Sequence, residues 1–167
     1  LLASAKKVKT NEITVCVLDR PRHKKIIDVL KRLNVNINFI SDGDVSAVIS
    51  VSNLKKKIDM YIGIGGAPEG VLAAAALKCL NCQMQTRLVF QNNDEKNRAK
   101  ELGINSLDKK YNINEMVKGD VIFSATGVTN GDLVNGIKDL GNSFEAETLV
   151  LHNSSKTNKI IKNTIKK

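Results

Sequence analysis

Three times in its first eighty residues the chain repeats one pattern: a short β-branched run, a polar loop, then an apolar stretch at helical spacing. The first unit is Ile13–Leu18, the charged loop Asp19-Arg20-Pro21-Arg22-His23, and a segment placing Ile26, Ile27, Leu30 and Leu33 on one helical face. Pro21 stands near the start of that helix, where a missing N–H costs little. The second unit is Val35–Ile40, Ser41-Asp42-Gly43-Asp44 and the apolar stretch Val45–Val51. The third is Met60–Ile64, Gly65-Gly66-Ala67-Pro68-Glu69-Gly70 and an Ala-rich helix through Leu80. Such alternation predicts an α/β fold built on a mostly parallel sheet, because parallel neighbours need a crossover and the crossover is usually a helix.

Beyond Leu80 the pattern loosens. Thr86–Phe90 predicts a strand, Asp94–Leu102 a polar helix ended by Gly103, and Gln91–Asn114 as a whole is the least readable stretch. Asp120–Ser124 predicts another strand, running into Ala125-Thr126-Gly127-Val128-Thr129-Asn130-Gly131-Asp132. Glu145–Leu151 reads as the last long strand, before a lysine-bearing tail that carries Ile160, Ile161 and Ile165. With no linker or internal repeat, residues 1–167 are expected to form a single domain.

Charge narrows the partners. A net charge of +9 attracts nucleic acid, anionic membranes and anionic small molecules alike. The lysines are spread over helix faces, a loop and the tail, and only 4% of residues are aromatic, so the chain lacks the stacking platform of a nucleic-acid binder. No apolar run approaches the roughly 20 residues that span a bilayer, and the opening residues lack a secretory pattern. A soluble, cytoplasmic protein without nucleic-acid or membrane partners is expected. Leu1 is not an initiator Met and strand character begins by Ile13, so the sequence is expected to start inside a longer protein. Of three cysteines, Cys79 and Cys82 form a lone C-x-x-C that closes a helix instead of opening one, and no second ligand pair accompanies it. Plain thiols are the expectation.

In a parallel α/β sheet the strand C-terminal ends share one edge, where loops far apart in sequence meet a common ligand. The loops expected there are complementary. Arg20 and Arg22 offer forked cationic donors suited to phosphate, whereas Asp42 and Asp44 offer acceptors suited to sugar hydroxyls. Gly63-Ile64-Gly65-Gly66 does not complete a dinucleotide fingerprint: Pro68 occupies the place of the third glycine.

Taken in order, D-R-P-R-H (Asp19–His23), S-D-G-D (Ser41–Asp44), YIGIGGAPEGVLAAAALKCL (Tyr61–Leu80) and F-S-A-T-G-V-T-N-G-D (Phe123–Asp132) resemble the C-terminal portion of class II fructose-1,6-bisphosphatases, including the sedoheptulose-bisphosphatase variants. The resemblance spans roughly Ile13 to Leu151. It implies layered helices and sheets of the inositol-monophosphatase-like sugar-phosphatase fold. It also implies metal-dependent removal of the 1-phosphate of fructose 1,6-bisphosphate, within gluconeogenesis and glycerol metabolism. By the same resemblance, Glu69 is a ligand for Mn²⁺ or Mg²⁺, while Arg20, Pro21, Arg22, Asp42, Gly43, Asp44 and Gly66 hold the substrate. The remaining metal carboxylates belong to an N-terminal half that is missing here. This half therefore holds no catalytic group of its own, and a homo-oligomer is expected of the whole enzyme.

Each residue also has a plainer reading. Glu69, two residues into a helix, would stabilise the N-terminal partial charge without any metal. Asp42 and Asp44 would suit caps of the helix opening at Val45, Asp44 above all. His23 reads as peripheral and is left outside the site. The Thr126–Asp132 loop, rich in turn formers, reads as support. The alternative to an enzyme half is a non-catalytic sugar-phosphate-binding fragment.

Overall fold

The computed structural model describes residues 1–167, the side chain of Leu54 excepted. A short helix α1 (Leu2–Lys6) precedes strand β1 (Thr14–Leu18), helix α2 (Lys24–Arg32), β2 (Asn36–Ile40), α3 (Asp44–Ser50), β3 (Met60–Tyr61) and α4 (Ala67–Cys79). The three strands form one parallel sheet in the order β2-β1-β3. The first crossover leads from β1 to one side and the second returns past β1 to the other. Right-handed connections in opposite directions place α2 and α3 on opposite faces of the sheet. Packing agrees. Leu30 of α2 joins Ile13 and Val15 in one cluster, while Val48 of α3 joins Ala73 and Leu77 of α4 in another.

The second half is built differently. After β4 (Gln85–Thr86), α5 (Asn93–Glu101), β5 (Tyr111–Asn112) and α6 (Ile113–Met116) come β6 (Ile122–Thr126), β7 (Lys138–Asp139), β8 (Ser143–His152) and β9 (Thr157–Lys166). β4 pairs with β5, and the long β8 pairs with β6, β7 and β9, all antiparallel. The expected mostly parallel sheet is therefore corrected: the fold is α/β, with a three-stranded parallel sheet beside a four-stranded antiparallel sheet and a small two-stranded ribbon. Two further expectations change. The strand expected over Thr86–Phe90 is confined to Gln85–Thr86, and the lysine-bearing tail is the ten-residue strand β9.

The two sheets are joined through helices. Phe123, Leu149 and Leu151 point from the antiparallel sheet onto Ile49, Ala76 and Cys79 of α3 and α4, forming the largest buried cluster. Alanine is the right residue there. Ala74 and Ala76 are fully buried, and their small side chains let α4 lie close to its neighbours. α4 ends at Cys79, whose buried Sγ lies 3.5 Å from the Val121 carbonyl oxygen. All three thiols are free, and burial raises the pKa of each.

Candidate functional site

The C-terminal ends of β1 and β2 and the start of α4 face one open cleft of about 560 Å³. Arg20, Arg22, Asp42, Gly43, Asp44 and Glu69 line it, which brings together six of the eight residues singled out from the sequence. Leu18, Phe123, Ala125 and Leu133 form its apolar side, so the antiparallel sheet contributes a wall. Pro21 instead borders a neighbouring hollow with Arg20, Lys24, Lys31 and Phe39, and Gly66 stands behind Glu69.

Local structure explains the placement of each side chain. Pro21 opens a 3-10 turn, Pro21–His23, that continues into α2 and aims Arg22 back across the sheet edge. There Arg22 Nε donates to the Ile64 carbonyl oxygen at 2.7 Å, and Nη2 lies 3.9 Å from Asp44 Oδ2. The acidic loop turns at Gly43, whose φ of +84° disfavours a side chain, with the Gly43 N–H donating to Asp42 Oδ1 at 2.8 Å. Asp44 is the first residue of α3, not its cap, and neither aspartate caps the helix through its side chain. This corrects the capping expectation. Asp44 Oδ1 is buried without a hydrogen-bond partner, a costly state for a carboxylate oxygen.

Glu69 has the plainer role in addition to any other. Its Oε2 accepts from the Gly66 N–H at 2.9 Å and completes a capping interaction at the start of α4. A Cβ added at Gly65 would stand 3.2 Å from Glu69 Oε2 and 3.3 Å from Asp44 Oδ2. The bare glycine thus leaves open the space between the two carboxylates. Hard divalent cations take oxygen ligands, and Mg²⁺ is commonly held by one or two carboxylates with waters and a substrate phosphate. Glu69 fits such an ion as part of a ligand set. Among the described residues no group of three or more His, Cys, Asp or Glu side chains could hold a metal. The two other conspicuous carboxylates do not line the cleft. Asp120 accepts from the Val121 and Ser154 N–H groups and pairs with His152 at 2.8 Å, and Asp132 pairs with Lys56 at 2.7 Å.

Three residues were missed from sequence. Tyr61 lies against Asp44, and burial, then the Asp44 charge, pushes its phenol well above the ordinary value. Glu147 is buried on β8 and accepts from the Asn135 backbone N–H at 2.9 Å and from Asn135 Nδ2 at 3.0 Å, while Lys162 lies 2.8 Å away. Lys162 above all, then Asn135, pulls the Glu147 carboxyl down to about 2. His23, expected to be peripheral, is fully buried. Its Nδ1 is 2.8 Å from the Leu18 carbonyl oxygen, and its Nε2 accepts from the Ile64 N–H at 2.8 Å, with the Ile64 oxygen at 3.1 Å. A helix-start position gave no sign of burial, because the partners of the ring are backbone atoms.

Comparison with known proteins places these features. A family model described as bacterial fructose-1,6-bisphosphatase, glpX-encoded, matches residues 1–165. A D-fructose 1,6-bisphosphatase class 2/sedoheptulose 1,7-bisphosphatase of Trichodesmium erythraeum (strain IMS101) is 37% identical over 163 residues, covering 90% of this chain and 47% of the relative. A protein of the same description from Synechococcus sp. (strain JA-3-3Ab) is 35% identical over 170 residues, covering 94% of this chain and 49% of the relative. The chain spans about half the length of the curated relatives it matches.

Proposed function

Because the chain belongs to the family of bacterial, glpX-encoded fructose-1,6-bisphosphatases, we propose that it supplies the sugar-phosphate-binding half of an enzyme that hydrolyses the 1-phosphate of fructose 1,6-bisphosphate. The observation that carries this reading is the meeting of two arginines, two aspartates and Glu69 in one cleft from three separate loops. The architecture of the whole enzyme is that of the inositol-monophosphatase-like sugar phosphatases, with the remaining half furnished by the length its relatives have beyond the match. We place the reaction in cytoplasmic gluconeogenesis, within a homo-oligomer.

The residues of this chain act chiefly by positioning. Arg22 is held through Nε, so its terminal nitrogens are presented to the cleft with little freedom left to lose, and with Arg20 they take the phosphate remote from the reacting end. Asp44 accepts from a sugar hydroxyl through Oδ2, the oxygen nearer Arg22, and Asp42 and Gly43 border the same ring. Gly66 fixes Glu69 through its N–H, which leaves the other carboxylate oxygen of Glu69 for Mn²⁺ or Mg²⁺. When bound, such an ion supplies Lewis-acid stabilisation of phosphoryl oxygens and a more acidic water.

The test follows from the proposed ligand set. The purified 167-residue chain should bind fructose 1,6-bisphosphate weakly and release no phosphate with Mn²⁺, and adding the remaining half of a family enzyme should restore turnover. In the completed enzyme Arg22→Ala should weaken substrate binding more than Arg22→Lys, since both lose the planar fork but only the first loses the charge. Robust Mn²⁺-dependent hydrolysis by the chain alone would overturn the division of labour, and unchanged kinetics in both variants would remove Arg22 from the site.

A further inference from the structure

The buried imidazole of His23 has no part in the proposed binding, yet its position is specific. β1 and β3 pair through Val15↔Met60 and Cys16↔Tyr61, and the Ile62 N–H donates to the Cys16 carbonyl oxygen at 3.0 Å. In a parallel ladder the next bond on that side would join residues two further along each strand, the Ile64 N–H and the Leu18 carbonyl. That bond is not made directly. The His23 ring stands between the two groups, 2.8 Å from each, and replaces the missing hydrogen bond with a donor and an acceptor set a ring's width apart. The ring thereby stands between the strand ends beside the cleft and pairs the Ile64 N–H, while the Leu18 carbonyl also accepts from the Arg20 N–H at 3.0 Å.

Ile64 is also where the cleft is anchored. Its carbonyl oxygen accepts from Arg22 Nε, and the next two residues are Gly65, which separates the carboxylates of Asp44 and Glu69, and Gly66, which holds Glu69. A shift of the Ile64 peptide would therefore displace a phosphate-binding arginine and the metal-binding glutamate together. Resting on the sugar-phosphate reading of the cleft, we propose that His23 is a positioning residue for that site. Its ring sets the Ile64 peptide and through it the distance between the Arg22 and Glu69 sides of the cleft. In this role the proton sits on Nδ1 and Nε2 accepts from the Ile64 N–H, the Ile64 oxygen 3.1 Å from Nε2 being taken by Arg22 Nε.

The experiment compares the unsubstituted chain with His23→Leu and His23→Gln. Glutamine carries a donor and an acceptor spaced much as the ring nitrogens are; leucine fills space and carries neither. Imidazole ¹⁵N spectra of the unsubstituted chain should show the Nδ1-protonated tautomer for His23, and a proton on Nε2 would overturn the proposal. Binding of fructose 1,6-bisphosphate, followed by calorimetry, should weaken at least tenfold in His23→Leu while its Ile64 amide exchanges at least tenfold faster. His23→Gln should recover binding to within about threefold of the unsubstituted chain. If His23→Leu does not fold, His23→Gln alone decides: a folded His23→Gln chain weakened tenfold or more overturns the proposal. If the unsubstituted chain binds the bisphosphate and both variants bind as well as it does, the reading of the cleft stands and the role of His23 falls. No binding by the unsubstituted chain sinks the reading and this role together.

Discussion

Two loops reach the cleft from different sheets and are held in opposite ways. The loop after β6, residues 127–137, is tied both to β8 and within itself: the Gly127 N–H donates to the Glu147 carbonyl of β8, the Gly131 N–H to the Val134 carbonyl, and the Gly136 N–H to Asn130 Oδ1. Buried Glu147 ties Asn135 down with both carboxylate oxygens. The loop after β2, residues 41–44, keeps one aspartate on its own backbone and leaves the other with a buried oxygen that has no partner. Polar groups satisfied by the loop and β8 together make a rigid wall, whereas the acidic loop is held by fewer bonds at the edge of the cleft. In the proposed reading the two loops divide support and recognition between them.

The sharpest way to break the comparison is to crowd the wall. A Cβ at Gly127 would stand 2.1 Å from the Asn135 carbonyl oxygen, a backbone atom that cannot swing aside. Gly127→Ala should cost about 3 kcal/mol of stability, at the upper end for overpacking, read as a lowered midpoint in urea. Ligand affinity of the fraction still folded should change less than stability does.

Next in size is the acid limb. Glu147 titrates near 2 in the folded chain against an ordinary 4.5, so its stabilisation is complete above about pH 4.5 and is lost as pH falls towards about 2. Asp120, lowered to about 2 first by Ser154 and then by His152, adds a loss of the same sign from about pH 3.8 downward. Glu147→Gln should flatten the fall of the thermal midpoint between pH 5 and 2 without abolishing it, because Asp120 remains. An acid limb as steep as that of the unsubstituted chain would mean that Glu147 is not what clamps the wall.

The recognition loop should answer in the reverse way. Asp44→Asn should leave stability within about 1 kcal/mol, since the native carboxylate oxygen is already unpaired, yet should weaken fructose 1,6-bisphosphate binding severalfold. Smallest of all is the tie between the wall and its surroundings. Asp132 is 71% exposed and pairs with Lys56, so Asp132→Asn should shift stability by no more than about 0.5 kcal/mol, measured in the same urea titration.

How much of this was legible depended on whether the deciding interaction was local. Ile13–Leu18 and the Ile26–Leu30 face announce a strand and a helix by spacing alone, and the three units in succession announce the parallel sheet with its crossovers. The loops at Arg20–Arg22, Asp42–Asp44 and Glu69 were readable because strand ends in such a sheet share an edge. Antiparallel pairing was not readable, because it depends on the distant partner. β9 mixes isoleucine with lysine, asparagine and threonine much as a solvated tail does, and only its register with β8, with Lys162 opposite Glu147, makes it a strand. His23 and Tyr61 escaped notice for a related reason. A histidine bonded to Leu18 and Ile64 backbone looks, in sequence, like any other histidine.

β9 pairs with β8 along one side and leaves its other side as a sheet edge. An unpaired edge of ten residues is a template for a second copy, and proteins commonly blunt such edges with lysine. Here Lys159 and Lys166 stand along it with Lys162, which pairs with Glu147, and Ile160 and Ile165 are exposed between them. Edge-to-edge stacking would bring lysines of one copy beside lysines of the next, and that repulsion has a range of about 8 Å in physiological salt but only about 3 Å at 1 M. The colloidal behaviour of the chain is thus set by a charge fence. Light scattering should find dispersed protein at low ionic strength and growing aggregates as salt rises, the opposite of an association driven by ion pairs.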